Sequence, residues 1–274
     1  MPETVDLDHV AIGTPDARDA IRYLVGELGG LVLFGGQGPG FRPMQIRLGD
    51  AREGMTVELL EPWDTDKNDF LARFVARHGE GPHHMTFKVP DLPAMLDRVD
   101  DAGFHPVAVD MSDPTWKEAF LHPRESHGTV VQLAEAHEDL PDLTALVAWV
   151  GEHGPRTNPQ WWPDPPVRGA RAARLRRVVL TTPSVDATLD LFAGVLDGKV
   201  VESGEGWTEL VWPGGGRIRF EQRPGSPGID RLEGDVLGAR VDTTLAGAHL
   251  VLHPRGDWPA PTVSDRHAPD RAAT

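Results

Sequence analysis

A chain of 274 residues, 39% hydrophobic and 25% charged, can hold one large or two modest folded domains and is too long for a stapled mini-protein. It contains no cysteine, which excludes disulfides, thiolate nucleophiles and zinc-thiolate sites together, so any metal must sit on His, carboxylate or amide ligands. The net charge of -15, without a basic stripe, argues against a nucleic-acid partner, and no apolar run approaches the roughly 20 residues of a membrane span, so a soluble, cytoplasmic protein with a small-molecule partner is expected.

Taken in chain order, the elements repeat. Residues 8–12 form a strand, and the Pro15-Asp16 pair follows. A helix then carries Ala20, Tyr23, Leu24 and Leu28 on one face, with Asp16 as N-cap and Gly29 at its end. Strands over 31–34, 45–48 and 55–60 complete the unit of strand, helix and three strands. The pattern returns at 84–89, where His84 precedes Pro90-Asp91 by the interval that separates His9 from Pro15-Asp16. Its helix shows Leu92, Met95, Leu96 and Val99, is capped by Asp91 and ends at Gly103; its strands are expected at 104–109, 118–121 and 129–134. A helix over 140–153 follows, and then a stiff Pro-rich linker over 158–166, with Trp161 and Trp162 as docking anchors. A third copy opens at Leu175 with Arg177 in the place of the histidine. Its helix carries Val185, Leu189, Phe192 and Val195 behind Ser184, and its strands fall at 199–202, 208–211 and 217–221. A shortened fourth copy, lacking its helix, is expected over 234–241 and 249–253. The fold class is therefore α+β: paired βαβββ modules followed by a second, degenerate βαβββ-like region.

Alternation decides which side chains share a face. Val10 and Ile12 oppose His9; Val57 and Leu59 oppose Glu58; Met85, Phe87 and Val89 oppose His84; Val131 and Leu133 oppose Gln132. The four candidates thus turn away from the apolar stripes and share the concave side of the sheet. Glu58 follows His9 at almost the interval by which Gln132 follows His84, as equivalent positions of two repeats would. A lone histidine is usually structural; the pairing by repeat position is what makes this set a candidate site. Glu118 and Glu135 are read as outside it by their parity, and His83 as a packing or capping residue.

In these residues the chain resembles the vicinal oxygen chelate superfamily (glyoxalase I, methylmalonyl-CoA epimerase, extradiol dioxygenases), and within it most the epimerase. The likeness lies in 7–12, in 81–87, and in 120–124 continuing to 128–133. It implies a metal-binding domain over 1–137; the repeat and the composition place a helix and linker over 138–170, a degenerate domain over 171–256 and a flexible tail over 257–274. It also implies one divalent ion (Co, Ni, Zn, Mn or Fe) on His9, Glu58, His84 and Gln132, with Glu58 as the catalytic base and His122 and Arg124 at the substrate. The epimerases carry Glu where this chain has Gln132, an amide that can bind a metal but cannot accept a proton. Arg177 and Arg219 stand where the third copy's ligands would be, and guanidinium cannot bind a cation.

The expected activity is that of a metal-dependent isomerase, epimerase or lyase acting by carbonyl polarisation and proton transfer on an acyl-CoA or 2-oxo substrate. Arg42, Lys117 and Arg124 are candidates for the positive charge that CoA would need. An extradiol-type dioxygenase is the rival enzyme, and a non-catalytic binding or resistance protein of the same fold the rival of another class. The modules can pair within one chain or across a homodimer.

Overall fold

The computed structural model describes residues 4–136, 142–154, 156–157 and 165–258. The anchors at Trp161 and Trp162, and most of the linker and tail, lie outside them. Among the described residues no helix is long and apolar enough to cross a membrane.

The first copy of the repeat comprises β1 (Asp6–Gly13), α1 (Arg18–Ile21), which widens into a π-helical stretch over Arg22–Glu27, β2 (Leu31–Gly35), β3 (Gly40–Gly49) and β4 (Gly54–Trp63). Next comes α2 (Phe70–His78). The second copy is β5 (Gly81–Lys88), α3 (Leu92–Asp101), β6 (Val107–Asp110), β7 (Trp116–Leu121) and β8 (Val130–Ala136). After α4 (Leu143–His153) and the two-residue β9 (Arg156–Thr157), the third copy runs through β10 (Arg174–Thr182), α5 (Val185–Leu189) with a π-helical stretch over Asp190–Val195, β11 (Lys199–Gly204), β12 (Trp207–Val211) and β13 (Arg217–Gln222). β14 (Gly228–Val236), β15 (Val241–Leu245) and β16 (Ala248–Pro254) close the chain without a helix between β14 and β15, as the shortened fourth copy requires.

Two mixed sheets result. The first has the order β6-β7-β8-β5-β1-β4-β3-β2-β9, so each βαβββ module forms half of it and the first strands of the two modules, β1 and β5, meet antiparallel at the centre. The second, β11-β12-β13-β10-β14-β16-β15, repeats the plan about an antiparallel β10–β14 pair.

The helices begin where local chemistry provides caps. Asp91 accepts from the Ala94 amide and Ser184 from the Ala187 amide. Asp16 is a correction: α1 starts one residue later, behind Ala17, and the Asp16 carboxylate takes the Arg18 amide in a turn while Ala17 N–H donates to Glu61. α2 had no sequence expectation, although Phe70, Leu71, Phe74 and Val75 have helical spacing and Gly79 ends it at φ 78°.

The apolar stripes of both sheets enter one core. Val10, Val57, Met85, Phe87 and Leu133 join Val178, Leu180, Phe192, Leu210, Ile218 and Phe220, all buried. Phe87 packs edge-on to Trp212 at 5.3 Å and lies 6.1 Å from Phe192, so the halves are fused through their helix-side faces. Because side chains alternate, the remaining face of each sheet looks outward, away from that core. The first sheet's outward face carries His9, Ala11, Glu58, Leu60, His84, Thr86 and Gln132. α2 lies over part of it, where Leu71 closes a small second cluster with Ala11 and Leu60, flanked by Phe41, Phe70 and Phe74.

Candidate metal centre

Strand register brings the candidates together. His9 lies opposite Thr86 across the β1–β5 pair, Ala11 lies opposite both His84 and Glu58, and Thr86 lies opposite Gln132. The four candidates thus occupy four adjacent strands, β8-β5-β1-β4, and one face. One ligand atom each from His9, Glu58 and His84 falls within 4.8 Å of the others. Glu58 Oε2 is 3.3 Å from His9 Nε2 and 4.0 Å from His84 Nε2, and the two imidazole centroids are 5.8 Å apart. All three residues and Gln132 are buried.

The surroundings orient these groups. His9 Nδ1 faces Asp8 Oδ2 at 2.7 Å, and Lys88 holds the other oxygen of Asp8 at 2.8 Å, so His9 donates from Nδ1 and turns Nε2 to the centre. Burial opposes the imidazolium of His9, but Glu58 and Asp8 outweigh it and push its pKa up to about 9. Burial also penalises the Asp8 carboxylate, yet Lys88 and His9 hold it well below the usual carboxylate range. At His84 burial dominates, reinforced by His83 and His9, and keeps the ring neutral with a pKa well below the ordinary value. Burial likewise pushes His83 down to about 4.

One atom tests whether the set fits a cation. His84 Nδ1 is engaged with His83 Nδ1 at 2.8 Å, whereas His84 Nε2 is buried without a hydrogen-bond partner. Gln132 comes alongside closely enough to favour the protonated ring slightly, but does not reach hydrogen-bond geometry with that nitrogen. A neutral imidazole nitrogen with a free lone pair beside a carboxylate can hold a divalent cation, and His9, protonated without one, would join it on releasing its Nε2 proton. His9, Glu58 and His84 thus form a cluster that fits a bound cation.

Gln132 is held as a ligand would be. Its Nε2 donates to Glu118 Oε2 at 2.6 Å, and its Oε1 accepts from Thr86 Oγ1, which itself lies 2.9 Å from His9 Nε2. The amide oxygen is therefore aimed at the cluster and its nitrogen away from it.

Glu118 is the residue that the sequence reading placed outside the site. β7 is longer than the expected 118–121, and its buried Ala119 and Leu121 leave Trp116, Glu118 and Phe120 on the outward face, where Trp116 Nε1 also donates to Glu118 at 2.9 Å. The alternation of Ala119 and Leu121 was the available signal. On the far side Gln45 Nε2 donates to Glu58 Oε1 at 3.1 Å. Each module so contributes one carboxylate and one amide on neighbouring strands, in opposite order. Glu135, of the other parity, caps α3 through the Leu92 amide and pairs with Lys117 at 2.6 Å, outside the site as expected.

The remaining candidates are not in the cluster. His122 and Arg124 are exposed in the β7–β8 turn, where the Arg124 amide donates to His122 Nδ1. Arg42 pairs with Glu61 and stacks on Trp63, and Lys117 is held by Glu135, so neither offers uncommitted charge to a CoA phosphate. His83 packs edge-on to Phe70 and Phe74, which makes it the joint between α2 and the centre.

Residues 8–120 match the family model described as "Glyoxalase/Bleomycin resistance protein/Dioxygenase superfamily". No curated protein matches the chain. Among solved structures, one titled methylmalonyl-CoA epimerase in complex with methylmalonyl-CoA and NH4+ is 23% identical, covering 50% of this chain and 97% of its own, with a TM-score of 0.43. The methylmalonyl-CoA epimerase from Mycobacterium tuberculosis is 26% identical over 51% of this chain and 91% of its own, with a TM-score of 0.42. A hypothetical protein from Staphylococcus aureus, 10% identical, covers 91% of this chain and 99% of its own with a TM-score of 0.60, so the two-sheet plan as a whole has a counterpart in fold. The recognisable part of the chain is thus its N-terminal sheet, whose residues 8–120 carry the signature of the Glyoxalase/Bleomycin resistance protein/Dioxygenase superfamily.

Proposed function

We propose that the first sheet is the active site of a metal-dependent isomerase, epimerase or lyase that moves a proton next to a carbonyl group. The observation that carries this reading is the buried, unpartnered Nε2 of His84 facing Glu58 and His9. His9, Glu58 and His84 would hold the ion, with Gln132 Oε1 as the fourth donor. When bound, the ion polarises a substrate carbonyl and makes the adjacent carbon more acidic.

The protein's own groups do the rest. Glu58 accepts the proton; Gln45, bonded to its Oε1, leaves Oε2 turned toward the imidazoles. Epimerisation by two groups needs a second proton carrier, and Gln132 cannot serve. Glu118 supplies a carboxylate on the same face at the opposite side of the cluster, so two-group transfer is compatible with this chain. Phe41, Phe70 and Phe74 form an apolar wall beside the centre. An acyl-CoA thioester or a 2-oxo compound has the required carbonyl with an acidic neighbour.

The test combines metal analysis with solvent deuterium exchange. Purified protein is expected to hold about one ion per chain, lost in His9→Ala and His84→Ala. Over a panel of acyl-CoA thioesters and 2-oxo aldehydes, at least one substrate should take up deuterium next to its carbonyl, and Glu58→Gln should abolish this. Full metal content in both histidine variants, or a panel in which no substrate exchanges, refutes the assignment.

A further inference from the structure

The second sheet presents its own outward face, and register shows what replaced each ligand there. Arg177 is opposite Glu233 as His9 is opposite Thr86. Val179 is opposite both Arg219 and Arg231, as Ala11 is opposite both Glu58 and His84. Glu233 is opposite Val251 as Thr86 is opposite Gln132. Three of the four equivalent positions are thus arginine, set among the buried carboxylates Glu209 and Glu233.

These arginines are not all satisfied internally. Arg177, Arg217, Arg219 and Arg231 surround two buried carboxylates, Glu209 and Glu233. Arg177 takes Glu209 Oε2 and Glu233 Oε2, each at 2.7 Å, and Arg217 takes Glu209 Oε1 at 3.0 Å. Arg231 is also paired with Glu221 and Asp230. Arg219 is left over. Its Nε is 3.4 Å from Glu209 Oε2 yet buried without a hydrogen bond, and none of its N–H groups donates to an acceptor among the described residues. Burial, and Arg177 beside it, depress its pKa.

The geometry around that guanidinium is that of a receptor. Its Cζ lies 3.7 Å from the centroid of the Trp207 ring, which helps fix its orientation, while its terminal Nη groups donate to no acceptor among the described residues. The side chain is 19% exposed, enough for a small solute to reach those edges. Trp258 lies 5.0 Å from the Arg177 guanidinium and lines the same face. A planar fork of donors with no acceptor is matched by a carboxylate or a phosphate group, and an unmet buried donor is costly enough to favour such a partner.

We propose that the outward face of the second sheet is a binding site for an oxyanion, the carboxylate or phosphate group of a small molecule, received by Arg219 on its Trp207 platform.

Titration of the full chain with inorganic phosphate and, separately, with benzoate, followed by calorimetry and tryptophan fluorescence at low ionic strength, tests this. At least one of the two should bind saturably at one site per chain, the successful probe distinguishing phosphate from carboxylate recognition. Arg219→Met should weaken binding about 10- to 100-fold, the loss of a charge-assisted hydrogen-bond pair. Arg219→Lys, which keeps the charge and loses the fork, should also weaken it, and it decides the question should the Met variant fail to fold. His84→Ala, in the first sheet, should leave binding intact. Absence of saturable binding by both anions up to tens of millimolar, undiminished binding in a folded Arg219 variant, or loss of binding in His84→Ala overturns the proposal.

Discussion

At the scale of the residue, the candidate centre is oriented by groups that stand behind it. Asp8 fixes the tautomer and tilt of His9 through a 2.7 Å contact and is itself anchored by Lys88. Such outer partners typically contribute 10- to 100-fold to metal affinity, so Asp8→Asn is expected to weaken binding by about that factor in a chelator-competition assay while the chain stays folded. Unchanged affinity would mean that Asp8 only balances Lys88. His9, Glu58, His84 and Gln132 were all legible in the sequence, because alternation along a strand determines facing without knowledge of neighbouring strands. Glu118 was not: its role arises from a contact with Gln132 across the β7–β8 pair, and a strand start set too late concealed its parity. The same limit applied to Arg42 and Lys117, whose formal charges are visible in sequence and whose carboxylate partners are visible only in space.

At the scale of the element, α2 distinguishes this site from a bare open sheet. It connects the two modules of the first sheet and lies on the side that holds the ligands, opposite to the helices of the repeat. Leu71 is fully buried there against Ala11 and Leu60. Leu71→Ala should therefore cost about 2–5 kcal/mol in denaturant unfolding, and it should also loosen Phe74 and thereby His83, whose ring packs on Phe74 at 4.6 Å. A cost near zero would show that α2 is only loosely seated. The helix escaped the sequence reading because it is short, begins behind Asn68 and Asp69 without a strong cap, and falls between two copies of a repeat that has no helix at that point.

At the scale of the whole molecule, the halves are joined by the shared apolar core and by polar contacts at its margin. Arg98 on α3 pairs with Asp197 beyond α5 at 2.8 Å, and the Gly214 amide donates to Asp6. The hydrogen bond from Arg98 lowers the pKa of Asp197, so this pair contributes stability above the unfolded carboxylate's pKa of about 3.9 and loses it as pH falls through the lower, folded value. Both side chains are more than a third exposed, so the contribution is about 0.2–1 kcal/mol. Wild type should thus exceed Arg98→Met in stability at pH 6, and the gap should close toward pH 3. A gap independent of pH would assign the effect to packing of the arginine stem.

The sequence by itself determined the repeat, the βαβββ order within each module and the faces on which His9, Glu58, His84 and Gln132 lie. These are local properties, set by side-chain periodicity along single strands and helices. Only the tertiary structure decided that the two sheets share one core, that α2 covers the face of the candidate site, that Glu118 holds Gln132, and that Arg177, Arg219 and Arg231 gather at the positions equivalent to His9, Glu58 and His84. Each of these depends on which strands become neighbours and in what register, and that is set by the burial of apolar surface across the whole chain.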